Sequence, residues 1–167
     1  MTTQARDELI RRILVREGGV ADVGDGKGLT RFGQTPGWLT QFNLPIPTNP
    51  TEAADNYARW MQATKLDHLI GDMADDLADI VLDFAVHAGH ISAIRMLQSS
   101  LGVATDGVIG PSTDAALIQQ NRSAIAKRVL AGRLDQLGAL ISQQPDKYAR
   151  YARGWLRRIG EQVQRLV

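Results

Sequence analysis

Leu9, Ile10, Ile13 and Leu14 recur at helical spacing near the start of the chain. With Thr2 or Thr3 as cap they predict an amphipathic helix over about residues 4–17, ended by Gly18 and Gly19. From Val20 to Asn49 that rhythm is lost. Gly and Pro are frequent, β-like pieces are short, and "GLTRFGQT" is the stretch that reads as a hairpin. "LPIPTNP" is an extended connector. Asn49, Pro50 and Glu52 then give a helix start: a cap, a proline in the first turn and a glutamate three residues after the cap. Tyr57, Trp60 and Met61 form that helix's apolar face.

A third helix is expected over about residues 73–88, with Leu77, Ile80, Val81, Phe84 and Ala88 on one side and Gly89 as its stop. "ISAIRMLQSSLG" predicts a fourth, with Ile94, Leu97 and Leu101 inward and Gly102 at its C-terminal end. "VATDGVIGPST" is a tight turn before a fifth, with Ser112 or Thr113 as its start. "SAIAKRVLAGRLDQLGALISQQ" is a long helix striped by Ile125, Val129, Leu130, Leu134, Leu137 and Ile141. Pro145 interrupts the pattern, and "DKYARYARGWLRRIGEQVQRL" closes the chain. There are no internal repeats and no low-complexity segments. The fold class is mainly α, with a small irregular or β-hairpin lobe near the N-terminus and a helical lobe.

The 167 residues suffice for a real hydrophobic core. Cysteine is absent, which removes disulfides, thiol nucleophiles and cysteine metal sites. The three histidines lack metal-ligand spacing, so no metal and no cofactor is expected. No apolar run approaches membrane-spanning length, so no stable membrane insertion is expected, and "MTTQARDELIRR" lacks a signal-peptide core. Synthesis in the cytoplasm is the expectation, with export needed for any action outside.

Net charge is +1, but its distribution is uneven. Through His90 there are eight Lys and Arg against thirteen Asp and Glu, or −5; from Ile91 onward there are eleven against five, or +6. Arg150, Arg153, Arg157 and Arg158 fall near one another on the last helix, which reads either as a solvated helical surface or as a positive surface for an anionic partner. The basic residues as a whole are scattered over the last helices, which argues against a nucleic-acid partner.

Glu17 carries the candidate chemistry. It lies four residues past Ile13 and three past Leu14, and so continues the apolar face of the first helix. Partial burial and the negative end of the helix dipole both disfavour ionisation there. A protonated carboxyl group is what cleavage of a glycosidic bond requires of its general acid. The two glycines that follow allow close approach of a bulky substrate. Asp22 and Asp25 lie on the next loop, with Thr30 behind them. A second carboxylate with a hydroxyl can position a water or stabilise an oxocarbenium-like transition state, and the distance between the carboxylates sets the stereochemistry. "DVGDGKG" also suggests a calcium loop, but the closing bidentate glutamate is missing.

"EGGVADVGDGKGLTRFGQT" resembles the opening motif of glycoside hydrolase family 108. These are lysozyme-like peptidoglycan hydrolases, phage endolysins and bacterial N-acetylmuramidases, some formerly described as secretion activator proteins. The family pattern is Glu-Gly-Gly-Tyr, then Asp-Pro-Gly-Gly, then Thr, an aromatic or similar residue, and Gly. Glu17 matches the catalytic glutamate, Asp25 the loop aspartate, Gly28 its second glycine, and Thr30, Phe32 and Gly33 the tail. Val20 stands where tyrosine is usual, the loop is about one residue short, and Gly26-Lys27 replace Pro-Gly. "DFAVHAGHISAIRMLQSSLGVATDGVIGPSTDAAL" is similar to the family's second half, a peptidoglycan-binding segment, at Asp83, Val86, Gly89, Leu97, Gln98, Asp106, Gly107, Ile109, Gly110, Pro111 and Thr113. His87 replaces its asparagine. "YARYARGWLRRI" resembles the closing helix.

The resemblance implies a lysozyme-like fold with a cleft between lobes. It implies a catalytic region over 1–90 and a helical peptidoglycan-binding region over 91–167, packed as one compact unit. The implied activity is hydrolysis of the β-1,4 bond between N-acetylmuramic acid and N-acetylglucosamine by a monomer, with peptidoglycan glycan strands as substrate. A holin or a secretion system would serve export to the periplasm or cell wall. Glu17 is the implied acid, with Asp25 and Thr30 as catalytic partners and Asp22, Phe32, Trp38 and His87 as substrate-binding candidates. Trp38 lies outside any apolar stripe, which suits it to stacking on a sugar ring. Tyr148, Tyr151, Trp155 and Ile159 share one helical stripe and read as core packing. A non-catalytic peptidoglycan-binding protein of the same fold is the alternative.

Overall fold

The computed structural model describes residues 3–21, 28–71 and 75–166, and the chain divides into two units, one up to Asp75 and one from Asp76 onward. In the first, helix α1 (Thr3–Glu17) buries Ala5, Leu9, Ile10 and Ile13. That face packs on α3 (Pro50–Ala63), which buries Ala53, Asn56, Tyr57, Trp60 and Met61 in return. The start of α3 is a reciprocal cap. Asn49 Oδ1 accepts from Glu52 N at 3.0 Å, while Glu52 Oε2 accepts from Thr48 N at 2.7 Å. The bond from Thr48 holds the Glu52 carboxyl below the usual carboxylate range.

Between these helices lie β1 (Val20–Ala21) and β2 (Thr30–Arg31), antiparallel, with Val20 opposite Arg31 and Ala21 opposite Thr30. "GLTRFGQT" thus finds its strand partner upstream, and turns back on itself only through a bridge between Arg31 and Gln34. Residues 36–41, expected to be irregular, form the short helix α2 (Pro36–Gln41). Its signal is local: Thr35 Oγ1 accepts from Trp38 N at 3.3 Å and Pro36 takes the first position. A single 3-10 turn at Leu66–Leu69 follows α3.

The second unit contains α4 (Asp76–Ala88), α5 (His90–Leu101), α6 (Pro111–Gln119), α7 (Arg122–Gln143) and α8 (Pro145–Arg165). Helix α4 is buried continuously from Leu77 to Ala85, and it packs on α5, α7 and α8. A helix covered on every side sits at the centre of its bundle. The compact unit therefore begins at Asp76, not at residue 91 where the sequence suggested a second region. Within the α7 stripe, Leu134 stays 40% exposed and Ile141 half-buried, so the buried seam is Ile125, Val129, Leu130 and Leu137. Gly132 lies against α5: a methyl there would sit 2.3 Å from Met96 Sδ. The turn before α6 is organised by the buried Gln98. Its Nε2 donates to Asp106 Oδ1 at 2.7 Å and to Thr113 Oγ1 at 3.2 Å, and its Oε1 accepts from Gly107 N at 2.8 Å. Thr113 thus points inward, and α6 starts from Gly110 and Pro111.

Two carboxylates lie inside this bundle. Asp83, fully buried, accepts from Arg133 Nη1 at 3.1 Å and from Arg158 Nε at 2.8 Å. Asp79 accepts from Arg165 Nη2 at 2.5 Å. Arg133 also donates to Gln162 Oε1 at 2.9 Å and covers the Phe84 ring at 4.8 Å. Arg158 is therefore structural and does not belong with Arg150, Arg153 and Arg157, which are exposed.

Removing the charge of Asp83 takes away the carboxylate that balances the buried Arg133 and the half-buried Arg158. Asp83→Asn is expected to lower the urea-unfolding free energy by about 3–5 kcal/mol. Asp7→Asn, which breaks the exposed 3.3 Å pair with Arg6, is expected to cost less than about 1 kcal/mol.

Candidate functional site

Helix α1 ends at Glu17 because Gly18 takes φ +69° and its N–H bonds back to the Leu14 carbonyl at 3.1 Å. The chain then enters β1, and the return strand brings a tight turn against the helix end. Phe32 N donates to Gly19 O at 2.8 Å. Phe32 and Gly33 both have left-handed backbone, φ 52° and 79°. At Gly33 no side chain fits: a methyl would lie 2.6 Å from Glu17 Cγ, 2.9 Å from Glu17 Cβ and 2.7 Å from Tyr57 Oη. Glu17's stem therefore lies over the bare backbone of residue 33, beside the Tyr57 hydroxyl.

That turn is bonded to α3 by buried polar groups. Tyr57 Oη donates to Phe32 O at 2.8 Å. Gln34 Nε2 donates to Ala53 O at 2.9 Å, and Asn56 Nδ2 donates to Gln34 Oε1 and Pro45 O, both at 2.8 Å. A hairpin with two-residue strands has little stability of its own, so these bonds fix its place.

Of the residues singled out in the sequence, Glu17, Phe32 and the backbone around Thr30 come together. Thr30 is half-buried and paired with Ala21, four residues beyond Glu17. Asp22 and Asp25 lie outside the described residues. Trp38 stands on α2 within a group of rings, 5.5 Å from Phe42, 5.6 Å from Tyr57 and 5.7 Å from Trp60 between centroids. It is half-buried, so part of its ring is held by packing. In the sequence Gly33 appears only as the tail of a motif. Tyr57 looked like a member of an apolar face, and only its hydroxyl reveals the second role.

His87 belongs to the second unit, at the end of α4. Its ring meets Trp155 edge-on at 5.4 Å. Burial, then the positive charges of Arg158 and Arg133, push its pKa down to about 4, against a smaller upward pull from Asp83. The imidazole is thus neutral at ordinary pH. The aromatic stripe of α8 differs from its expected role. Ile159 is buried, but Trp155 and Tyr148 are half-buried and Tyr151 is exposed. Helical spacing places these rings on one face without saying what covers that face.

Two outcomes follow from this geometry. Gly33→Ala combines a left-handed backbone with overlap on Glu17 and Tyr57, and is expected to cost about 1–3 kcal/mol in urea unfolding; Gly19→Ala, in open space, is expected to be nearly neutral. For His87, the unfolded chain takes up a proton near pH 6.5 that the folded chain refuses until about 4. Stability should therefore fall as pH drops through that window, and be flat above it. The loss reaches up to about 3 kcal/mol, and His87→Asn should remove that share, as thermal unfolding of both chains from pH 4 to 7.5 will show.

The sequence family described as "Predicted Peptidoglycan domain" matches residues 92–160. No curated protein matches the chain. Among solved structures, the chain is similar to one titled "Structure of Brucella abortus SagA", with a TM-score of 0.75 and 25% identity, over 99% of this chain and 95% of that one. The fold is mainly α and lysozyme-like, with a two-stranded β element in the first unit and a peptidoglycan-domain match over residues 92–160 of the second.

Proposed function

We propose that the protein is a peptidoglycan hydrolase, an N-acetylmuramidase similar to glycoside hydrolase family 108, acting on glycan strands of the cell wall after export. One observation carries this reading: Glu17 ends its helix against the bare backbone of Gly33, at the base of the hairpin, in a chain whose later half matches a predicted peptidoglycan domain. The sequence motif around Glu17 supplies the reaction class. Glu17 donates its proton to the glycosidic oxygen as the bond to C1 breaks, and the leaving sugar departs as an alcohol. Asp25 stabilises the positive charge at C1 or takes the proton from the attacking water, with the Thr30 hydroxyl assisting. Water supplies the hydroxyl that ends on C1. No metal or redox step enters this balance.

A binder without turnover is the second reading. The family match favours it to this extent: residues 92–160 contain none of the residues assigned to catalysis.

Turbidity of a purified peptidoglycan suspension separates the two. Wild type should clear it. Glu17→Gln should lose about 10²-fold or more in rate while keeping its thermal midpoint, since loss of general acid catalysis costs that much. Retention of more than about a tenth of the rate would remove Glu17 from its role. Asp25→Asn should cost more than Asp22→Asn, and the reverse order would make Asp22 the second carboxylate. If wild type sediments with peptidoglycan but never clears it, the binding reading replaces the hydrolase.

A further inference from the structure

The second unit carries an open groove of about 160 Å³ whose lining includes Phe84, His87, Arg133, Leu137, Tyr148 and Trp155. Its surface is predominantly apolar, with Phe84 and Leu137 among the contributors, and Tyr148 and Trp155 bring their rings to it with centroids 5.8 Å apart. Tyr151 stacks on Trp155 at 5.7 Å but does not line the groove. His87 gives the groove a polar edge. Cations stand close by: Lys147 lies over the Tyr148 ring and Arg150 over the Tyr151 ring, at 4.8 and 4.7 Å.

We infer that this groove is a saccharide subsite, in which one pyranose ring of an N-acetylated glycan strand rests its C–H face on Tyr148 and Trp155. The inference rests on the peptidoglycan reading of the chain and is independent of the role of Glu17. The groove is small, and suits one ring. An amphipathic helix needs a longer groove with several anchor positions. Aromatic rings offer flat apolar surface that matches the C–H face of a sugar while its hydroxyls turn to water. The neutral His87 has one donor and one acceptor for a hydroxyl or acetamido group. Arg133 is engaged by Asp83 and Gln162, so it serves as wall and leaves anion attraction to Lys147 and Arg150. Those cations suit the lactyl and stem-peptide carboxylates that flank the sugar rings of peptidoglycan. Tyr148 and Trp155 both fall within the residues that match the predicted peptidoglycan domain.

The test uses the full chain carrying Glu17→Gln, titrated with a peptide-free tetrasaccharide of alternating N-acetylglucosamine and N-acetylmuramic acid. NMR follows the Trp155 indole N–H, assigned with Trp155→Phe, and calorimetry gives the affinity. The indole resonance should shift with saturation, a readout that needs no variant in the groove. Adding Tyr148→Ala should weaken binding tenfold or more. Tyr151→Ala, which removes a ring touching Trp155 outside the groove, should weaken it less than threefold. An indole that does not move, binding seen only when stem peptides are attached, or equal losses from Tyr148→Ala and Tyr151→Ala would each overturn the subsite. The two readings fail separately: lysis by Glu17→Gln removes the acid assignment and leaves the indole result standing.

Discussion

Residue 33 has room for a hydrogen and nothing larger, and three segments of the first unit meet there for that reason. Helix α1 brings Glu17, α3 brings the Tyr57 hydroxyl, and the hairpin brings the backbone itself. A β-carbon would force one of them away. The absence of that carbon also permits φ +79°, so the same glycine makes the turn and admits the carboxylate stem. Tyr57 completes the arrangement by taking the Phe32 carbonyl, which a left-handed residue would otherwise direct with no partner in a strand ladder. The carboxylate stem thus lies where the backbone of residue 33 and the Tyr57 hydroxyl leave room for it.

The second unit is organised around charge instead. The buried run of α4 from Leu77 to Ala85 is apolar except for Asp79 and Asp83, and a buried carboxylate is tolerable only with a close cation. Arg133 comes from α7, while Arg158 and Arg165 come from α8. Their bonds fix the register of α8 on α4 more sharply than apolar contact does, because hydrogen-bond geometry is directional. The position of the α8 rings beside His87 follows from that register. The uneven charge of the chain reads differently in this light. Part of the positive surplus after residue 90 answers carboxylates that α4 carries before it, and Arg133 is buried in doing so.

What could be read from the sequence was whatever is settled locally. The end of α1 at paired glycines, the cap at Asn49 and the breaks at Gly89, Gly102 and Pro145 all depend on a few adjacent residues. Helix α2 had the same kind of signal in Thr35 and Pro36, but six residues leave no periodicity to support it. The site was half legible. Glu17 declared itself by standing at the lip of an apolar face. Gly33 shows in the sequence only as the tail of a motif and Tyr57 only as part of an apolar face, because their role is a contact between segments 24 residues apart in number. Tyr148 and Trp155 share the stripe of the buried Ile159, and a stripe fixes a common direction and not a common burial.

The hairpin of β1 and β2 shows how such a site can be held with little regular structure. Ala21 and Thr30 pair across it. Closing a short loop costs only a few kcal/mol of chain entropy, so the pairing need not be extensive. It must, however, be anchored, since two-residue strands do not persist alone. Asn56 and Tyr57 supply the anchor from α3, Gln34 meets Asn56 from the hairpin side, and all three are buried. Buried polar bonds of this kind are stronger than exposed ones and costly to leave half made, so the hairpin is either docked as a whole or released as a whole. A carboxylate at the base of a docked hairpin keeps its geometry through those anchors. Val20, which departs from the motif that the chain resembles, lies on β1 and takes no part in the contact between Glu17 and Gly33.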